Sequence, residues 1–271
     1  MSNLPAGAAR RQLQANTAAH YDAHPLEFLT PADEASIRDM QPAPFRRFAT
    51  KHIRGGELVA DIGCGPGRAT LFLTRQTVDV VAVDISAHSL RLARRRAPGG
   101  HFLCASNLAL PMADGMFDIV VSDGVIHHTP DPRRAFAENA RLVRPGGVYY
   151  LGVYNRHGYY YYIYTFVGPV LRWLESYPVG RRLIMATMVP LYWGVHLLKS
   201  GGTRTWRGAV NFFYDYIITP RASFHTYEEV CAWGVEESLE LLEYDPSLGN
   251  VQVFVFGKRP VAPAGSGPNG D

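Results

Sequence analysis

The middle of the chain alternates short apolar runs with amphipathic stretches. Apolar runs without alternation predict strands that are buried on both faces, and the stretches between them predict helices. Five strands are predicted in this way, at residues 58–62, 79–85, 101–106, 117–123 and 148–154. Strands that alternate with helices form parallel sheets with right-handed crossovers, so this region is expected to be a doubly wound α/β domain.

The pattern changes after the fifth strand. Residues 155–224 are rich in aromatic side chains and interrupted by prolines, which predicts a helical insertion. Residues 225–236 predict a further helix, and residues 238–246 and 250–260 predict two closing strands, the second with the alternation of an antiparallel edge. The expected fold is therefore Rossmann-like, a doubly wound and mostly parallel seven-stranded sheet with an antiparallel edge strand and a helical insertion after the fifth strand.

A glycine-rich turn follows the first strand in the sequence VADIGCGPG, residues 59–67. Glycines at alternate positions let the polar part of a ligand approach the backbone. No Gly-Lys-Ser/Thr follows, which excludes a P-loop. Arg68 stands where a dinucleotide-binding turn has its third glycine, and Asp61 lies just before the turn, so the pattern favours a ligand without phosphates.

Asp84 ends the second strand, nineteen residues after Gly65. A carboxylate at this place can accept hydrogen bonds from both hydroxyls of a ribose. Ser86 is the better residue for capping the helix that follows, which leaves Asp84 for a ligand. Both NAD and S-adenosylmethionine carry such a ribose, so Asp84 by itself does not choose between them.

The stretch SNLALPMADGMFDIVVSDGVIHHTPDPRRAFAENARLVRPGG, residues 106–147, adds several motifs in a fixed order. Together with VADIGCGPG and VDIS, it resembles the class I S-adenosylmethionine-dependent methyltransferases, in particular the branch with the ubiquinone and menaquinone methyltransferases and many small-molecule enzymes. The resemblance covers residues 59–153. It implies S-adenosylmethionine as the cofactor and S-adenosylhomocysteine as the product.

The resemblance also implies roles for individual residues. Gly63 and Gly65 would approach the methionine and ribose parts of the cofactor, and Asp84 would hold the ribose. The other cofactor-binding candidates are Asp61 before the turn, Ile85 against the adenine, Asn107 and Leu108 at the adenine edge, Asp123 at the methionine end, and Tyr21 in a YD segment that folds over the cofactor. Asn107 stands where the family usually has aspartate, and its side-chain oxygen can still accept a hydrogen bond.

Methyl transfer needs a base only when the acceptor loses a proton. The loop GVIHHTPD after the fourth strand supplies His128, and secondly His127, as catalytic candidates, with a structural role as the alternative for each. Enzymes that methylate planar amines carry prolines and an aromatic ring directly after the corresponding acid or amide, whereas Asp123 is followed by Gly124, Val125 and Ile126, so O- or C-methylation is preferred. The aromatic insertion suits a hydrophobic acceptor such as a quinone, a natural product or a lipid-like molecule.

The predicted organisation has four parts. They are an N-terminal helical lid segment (1–57), an S-adenosylmethionine-binding α/β domain (58–154 with 225–260), an acceptor-side cap (155–224) and a disordered Pro/Gly-rich tail (261–271). Two hypotheses compete with a methyltransferase: a nicotinamide-dependent oxidoreductase, and a peripheral membrane or interaction protein with a vestigial nucleotide fold.

Composition limits the classes of partner, the metal content and the compartment that are expected. The 271 residues carry a net charge of +3, too small to indicate a nucleic-acid partner. Three widely spaced cysteines form no metal-ligand pattern and favour the cytoplasm, and no metal is predicted. The apolar stretches 159–174 and 183–198 contain prolines and are short for a membrane span, so they predict lid helices and leave a peripheral membrane contact open. The sequence does not indicate an oligomeric state.

Overall fold

The structure, a computed structural model, describes residues 6–23, 34–199, 206–246 and 250–260. The disordered tail predicted at residues 261–271 lies outside the described residues. Eleven α-helices are assigned in the described ranges: α1 (Ala6–Ala23), α2 (Glu34–Asp39), α3 (Ala43–His52), α4 (Arg68–Leu73), α5 (Ala87–Arg96), α6 (Pro132–Leu142), α7 (Tyr159–Tyr162), α8 (Gly168–Glu175), α9 (Pro178–Lys199), α10 (Trp206–Phe213) and α11 (Tyr227–Glu236). Within these residues, no helix is both long enough and apolar enough to cross a membrane.

Seven strands form one sheet. They are β1 (Leu58–Ile62), β2 (Asp79–Asp84), β3 (His101–Cys104), β4 (Phe117–Asp123), β5 (Val143–Tyr154), β6 (Leu239–Asp245) and β7 (Val251–Lys258). Their order is β3-β2-β1-β4-β5-β7-β6, and the first five pair in parallel. The strand order reverses between β1 and β4, which is where a doubly wound sheet binds its ligand.

The predicted fold class is confirmed, with a refinement at the antiparallel edge. β7 runs antiparallel to both neighbours but lies inside the sheet, and β6 is the outermost strand. Residues 252–256 of β7 are all buried, whereas β6 alternates between more and less buried positions. The alternation of apolar types in VQVFVFG therefore reflects two covered faces, not one exposed face.

The sheet is covered on both faces. One core cluster includes Phe136 of α6 and Trp233 of α11, and the other includes Phe45 of α3 and Leu71 of α4. Because side chains alternate along a strand, adjacent residues of β5 enter different clusters, as Tyr149 and Tyr150 show. The structure begins β5 at Val143, five residues before the start that the sequence predicts.

The insertion after β5 forms a helical cap with a small core of its own. α7 to α10 lie between β5 and α11 in the chain, and two π-helical turns, Ile163–Val167 and Tyr214–Ile218, continue α7 and α10. Ile184, Val189 and Phe213 are buried among them. The cap and α1 both reach the carboxyl ends of the parallel strands, where a large cavity opens.

Candidate active site

The cavity lies at the carboxyl ends of β1, β2 and β4 and has a volume of about 720 Å³. This volume is in the range of small-molecule sites. The candidates Tyr21, Asp61, Gly63, Gly65, Asp84, Ile85, Asn107, Leu108, Asp123 and His128 all line it. One side is closed by α1, which contributes Gln14 and Thr17 as well, and another by the cap. The fold thus brings together residues that are more than 190 positions apart in the chain.

The glycine turn after β1 has three residues in the left-handed region, with φ of +74° at Gly63, +53° at Gly65 and +88° at Gly67. A Cβ on Gly63 would collide with the side chain of Val125, and one on Gly67 would lie 2.9 Å from Ala93 in α5. A Cβ on Gly65 would meet nothing within 4 Å. Gly65 is therefore the glycine whose missing side chain leaves room on the cavity side, whereas Gly63 and Gly67 allow close packing of the turn.

Asp84 is held rigidly at the end of β2. Its two carboxylate oxygens accept hydrogen bonds from the backbone N–H groups of Gly65 and Ser86, each at 2.8 Å. Each oxygen keeps a further lone pair, so the carboxylate can still accept two hydroxyl donors. Burial raises the pKa of Asp84 and the two N–H groups oppose this rise. Ser86 caps α5 as predicted, with its hydroxyl oxygen accepting from the N–H of Ser89.

The loop after β3 supplies an amide without partners. Asn107 is 9% exposed, and neither its Oδ1 nor its Nδ2 has a hydrogen-bond partner among the described residues. An unpaired buried amide costs free energy unless a ligand satisfies it. Asn107 and the apolar side chains of Ile85 and Leu108 line the same cavity. This part of the cavity therefore suits a flat heterocycle with both a donor and an acceptor on its edge.

Three aspartate side chains lie near the glycine turn after β1. Asp61 is 3% exposed and accepts a hydrogen bond of 2.6 Å from the Thr70 hydroxyl, and burial raises its pKa to about 6. Asp123 forms an ion pair of 3.0 Å with Arg68, and burial raises its pKa while Arg68 lowers it. With Asp84, three carboxylates face one guanidinium across this end of the cavity. When all are ionised, the group carries a net negative charge and attracts cations.

Helix α1 is fastened over the cavity by polar contacts with the sheet domain. Asp22 accepts hydrogen bonds from the Ser86 hydroxyl at 2.5 Å and from the backbone N–H of His88 at 3.2 Å. A carboxylate at this point also interacts favourably with the N-terminal end of α5. Gln14 donates from its side-chain nitrogen to the Ser106 hydroxyl at 2.6 Å. These contacts place Tyr21 at the cavity wall.

The two histidines of the β4 loop lie in different surroundings. His127 is fully buried, stacks on Tyr154 at 3.6 Å between ring centroids, and accepts the Tyr154 backbone N–H at Nδ1. It does not line the cavity. His128 does, and its Nδ1 lies 2.8 Å from the carbonyl oxygen of Arg221. Because a carbonyl only accepts, Nδ1 of His128 carries the proton and Nε2 of the neutral ring has the lone pair.

Asp215 in the cap is a site residue that the sequence reasoning missed. It is 7% exposed, lines the cavity, and accepts a hydrogen bond of 3.1 Å from the Tyr21 hydroxyl. Burial raises its pKa, whereas His128 and Tyr21 lower it. Burial lowers the pKa of His128 and Asp215 raises it. The signal was present in the sequence, since Asp215 is the only charged residue in the largely apolar and aromatic stretch VNFFYDYIIT.

Residues 60–151 match a family model described as a methyltransferase domain. The chain is 34% identical over 131 residues to a malonyl-[acyl-carrier protein] O-methyltransferase of Enterobacter lignolyticus, covering 48% of this chain and 47% of the relative. It is 35% identical over 92 residues to a demethylmenaquinone methyltransferase of Renibacterium salmoninarum, covering 34% and 39%. The chain thus spans less than half the length of these curated relatives.

Among solved structures, the chain superposes on a 1,6-didemethyltoxoflavin-N1-methyltransferase of Burkholderia thailandensis with a TM-score of 0.55. The match covers 96% of this chain and 93% of the other at 16% identity. That structure contains 1,6-didemethyltoxoflavin and S-adenosylhomocysteine. At this identity the likeness concerns the fold alone.

Proposed function

We propose that this protein, whose residues 60–151 match the family model of a methyltransferase domain, transfers a methyl group from S-adenosylmethionine to a hydrophobic small molecule. The observation that carries the proposal is the single cavity that joins Gly65, Asp84 and Asn107 to His128 and the aromatic cap. The methyl donor and the acceptor would share this cavity. A cytoplasmic location belongs to the same proposal.

The residues around the turn fit the donor. Asp84 has free lone pairs for two ribose hydroxyls, and the unpaired amide of Asn107 can pair with the adenine amino edge. Ile85 and Leu108 offer apolar surface to the adenine ring. When bound, S-adenosylmethionine supplies an electrophilic methyl group whose sulfur leaves with the bonding electron pair.

The charge around the turn discriminates between the donor and a nicotinamide cofactor. S-adenosylmethionine carries a sulfonium and an ammonium group, and Asp61, Asp84 and Asp123 with Arg68 provide the net negative surroundings that such groups prefer. The pyrophosphate of NAD would bring two further negative charges to the same place. The structure therefore supports the methyl donor over the oxidoreductase hypothesis.

His128 is the residue best placed to remove a proton from the acceptor. Its Nε2 carries the lone pair because Nδ1 donates to the Arg221 carbonyl. The lowered pKa of His128, caused by burial, keeps the ring neutral before the reaction, and Asp215 would stabilise the imidazolium afterwards. The acceptor O–H or activated C–H loses its proton to Nε2 as the new bond to the methyl carbon forms. His127 is placed to support the ring of Tyr154 instead.

The acceptor side of the cavity is apolar and aromatic. Val125, Tyr154, Phe212 and Tyr216 line it, and Tyr21 closes it from α1. Such a wall excludes water from the methyl group and favours a hydrophobic acceptor. One relative is named as an O-methyltransferase, which agrees with an oxygen acceptor, and another is named for demethylmenaquinone, which agrees with a hydrophobic acceptor.

The proposal is tested first by calorimetry with S-adenosylhomocysteine and, separately, NADH. We expect S-adenosylhomocysteine to bind in the micromolar range and NADH not to bind, and the reverse result would overturn the proposal. Substitution of Asn107 by Leu should weaken S-adenosylhomocysteine binding by roughly fivefold, because an amide hydrogen bond is worth about 1 kcal/mol. Replacement of the exposed Asn16 by Leu is the matched control and should have no effect.

The acceptor is found by incubating the protein with methyl-labelled S-adenosylmethionine and a metabolite extract. The labelled product should be apolar and should carry the methyl group on oxygen or carbon. His128→Gln should reduce its formation by about a hundredfold or more while donor affinity stays unchanged, whereas exposed His157→Gln should reduce neither. Methylation of an amine nitrogen with undiminished rate in His128→Gln would contradict the assigned role.

A further inference from the structure

The outer side of the cap exposes apolar side chains in a regular pattern. Along α7, the π-helical turn and α8, five residues at spacings of three or four are each more than half exposed: Tyr159, Tyr162, Phe166, Val170 and Trp173. Tyr177, just after α8, continues the spacing and is 52% exposed. This spacing places them on one side of a continuous helix. The opposite side already packs into the cap, as buried Tyr160 shows. The exposed stripe is therefore not needed for the cap's own core.

Helix α9 repeats the pattern. Val179, Leu183, Met188, Leu191, Val195 and Leu198 are exposed at spacings of three to five residues, and their exposed fractions reach 76% at Val179 and 86% at Leu198. Ile184 and Val189 of the same helix are buried in the cap core. α8 and α9 pack against each other, so the two stripes belong to one helical hairpin. Exposed apolar side chains that are grouped on one helical hairpin in this way are typical of an interaction site.

The charge of the cap indicates what this surface contacts. Residues 155–224 contain eight Lys and Arg residues but only two Asp and Glu residues, a net charge of +6. The rest of the chain has 19 basic and 22 acidic residues, a net charge of −3. The positive charge thus lies in the same chain segment as the exposed apolar stripes. Arg181 and Arg182 are exposed beside Leu183, whereas Arg172 and Arg221 donate to backbone carbonyl groups within the protein.

We propose that the outer face of the cap, formed by the exposed apolar residues of Tyr159–Lys199, docks on an anionic lipid bilayer. Exposed aliphatic and aromatic side chains enter the interface between headgroups and acyl chains, and basic side chains contact anionic headgroups. Tyrosine and tryptophan suit this depth because each has an apolar ring and a polar atom. Helices α8 and α9 would lie in the plane of the interface.

A second copy of this chain fits the surface less well. An interface that pairs the cap with itself would bring together two segments that each carry a net charge of +6, which opposes association. An anionic bilayer supplies the opposite sign. The cap also lines the cavity through Phe212, Asp215 and Tyr216, so an acceptor dissolved in the bilayer would be close to the site. Docking itself does not depend on the proposed methyl transfer.

The test is co-sedimentation of the full chain with vesicles, without S-adenosylmethionine. Vesicles of phosphatidylcholine are compared with vesicles in which about a third of the lipid is phosphatidylglycerol. We expect binding to the anionic vesicles to be at least several-fold stronger and to weaken when ionic strength rises from about 0.1 to about 0.5 M. Absence of binding to either vesicle would overturn the proposal, whatever calorimetry shows for S-adenosylhomocysteine.

Variants locate the surface. Phe166→Glu with Leu191→Glu changes two side chains that are 68% and 65% exposed, so the fold should be unaffected while vesicle binding falls by roughly tenfold or more. The matched control makes the same two charge changes on the α/β domain, at Val235 and Leu242. Equal loss in both would show that net charge alone governs binding and would refute docking through the cap.

Sedimentation velocity tests the alternative that a second copy of this chain binds the outer face of the cap. If the wild-type chain self-associates, fails to bind vesicles, and becomes monomeric with Phe166→Glu and Leu191→Glu, the cap is an interface between copies and the membrane proposal is wrong. A monomer that binds only anionic vesicles, through residues sensitive to the cap variant and insensitive to the control, is the result we expect.

Discussion

Replacing Asp61 by Asn should stabilise the protein without cofactor and weaken its binding of S-adenosylhomocysteine. Asp61 is 3% exposed, and burial raises its pKa from 3.8 to about 6. A carboxyl group whose pKa is higher in the folded state contributes stability below its unfolded pKa and loses it as pH rises through the folded pKa. The ionised carboxylate is thus a cost to the folded state at neutral pH.

The pKa difference sets the size of this cost. Raising the pKa of Asp61 by about 2.2 units costs the folded state about 3 kcal/mol of stability when the pH is well above 6. At pH 5 the cost is about 1.6 kcal/mol, because part of the carboxyl group is still protonated there. The stability difference between Asp61→Asn and wild type should therefore grow by about 1.4 kcal/mol in favour of the variant between pH 5 and pH 7.5. The Asn oxygen can still accept the hydrogen bond from Thr70, so this contact cancels in the comparison.

Urea denaturation at the two pH values measures the difference, with exposed Asp79→Asn as the matched control. Calorimetry at pH 7.5 measures the second effect, a loss of S-adenosylhomocysteine affinity of about tenfold, because the amide cannot balance the ligand's ammonium group. A variant whose stability relative to wild type is the same at both pH values would refute the argument that burial of Asp61 is costly. An unchanged affinity for S-adenosylhomocysteine would show that Asp61 does not interact with the ligand.

Three further changes test the rest of the site. Asp84→Ala removes the carboxylate assigned to two ribose hydroxyls and should lower S-adenosylhomocysteine affinity by roughly a hundredfold in calorimetry; a change below threefold would contradict that assignment. Asp22→Ala removes the contacts that fasten α1 to α5 and should make α1 several-fold more sensitive to limited proteolysis, with S-adenosylhomocysteine restoring part of the protection. Gly67→Ala should destabilise the protein by about 2 kcal/mol or more in urea denaturation, because φ is +88° and the new Cβ would meet Ala93. Gly65→Ala, which has open space at its Cβ, should cost about 1 kcal/mol. Equal costs for the two variants would mean that the contact of Gly67 with α5 is unimportant.

The two sides of the cavity differ in charge and in hydrogen bonding. The part of the cavity that we propose for the methyl donor combines Asp84, which is held by backbone N–H groups, with buried carboxylates whose ionisation is costly and would be relieved by a cationic ligand. The acceptor side combines the neutral ring of His128 with Asp215 in an aromatic wall. Such differences between neighbouring titratable groups are typical of sites that move protons.

Much of the donor side could be predicted from the sequence because its determinants are local. The apolar runs fix which segments become buried strands, and a strand that ends in a glycine turn places that turn at the carboxyl edge of the sheet. Asp84 follows at the end of the next strand, nineteen residues after Gly65. Its position next to the turn follows from the parallel pairing of β1 with β2.

The sequence could not assign the individual glycines or Arg68. Gly63 and Gly67 are required by Val125 and Ala93, which approach the turn only when β4 and α5 have packed. Arg68, noted in the sequence as the residue in place of a third glycine, turned out to pair with Asp123, fifty-five positions away. Contacts of this kind depend on how elements pack, and no local spacing encodes them.

The sequence by itself determined the sheet, the glycine turn and the position of Asp84 beside that turn, since each follows from periodicity or from spacing along one βαβ unit. Only the tertiary structure decided that His128 faces the cavity while its neighbour His127 supports Tyr154. Only the tertiary structure brought Tyr21 to Asp215 across 194 positions. These choices depend on where α1 and the cap close over the sheet, which is set by packing between segments that are distant in the chain.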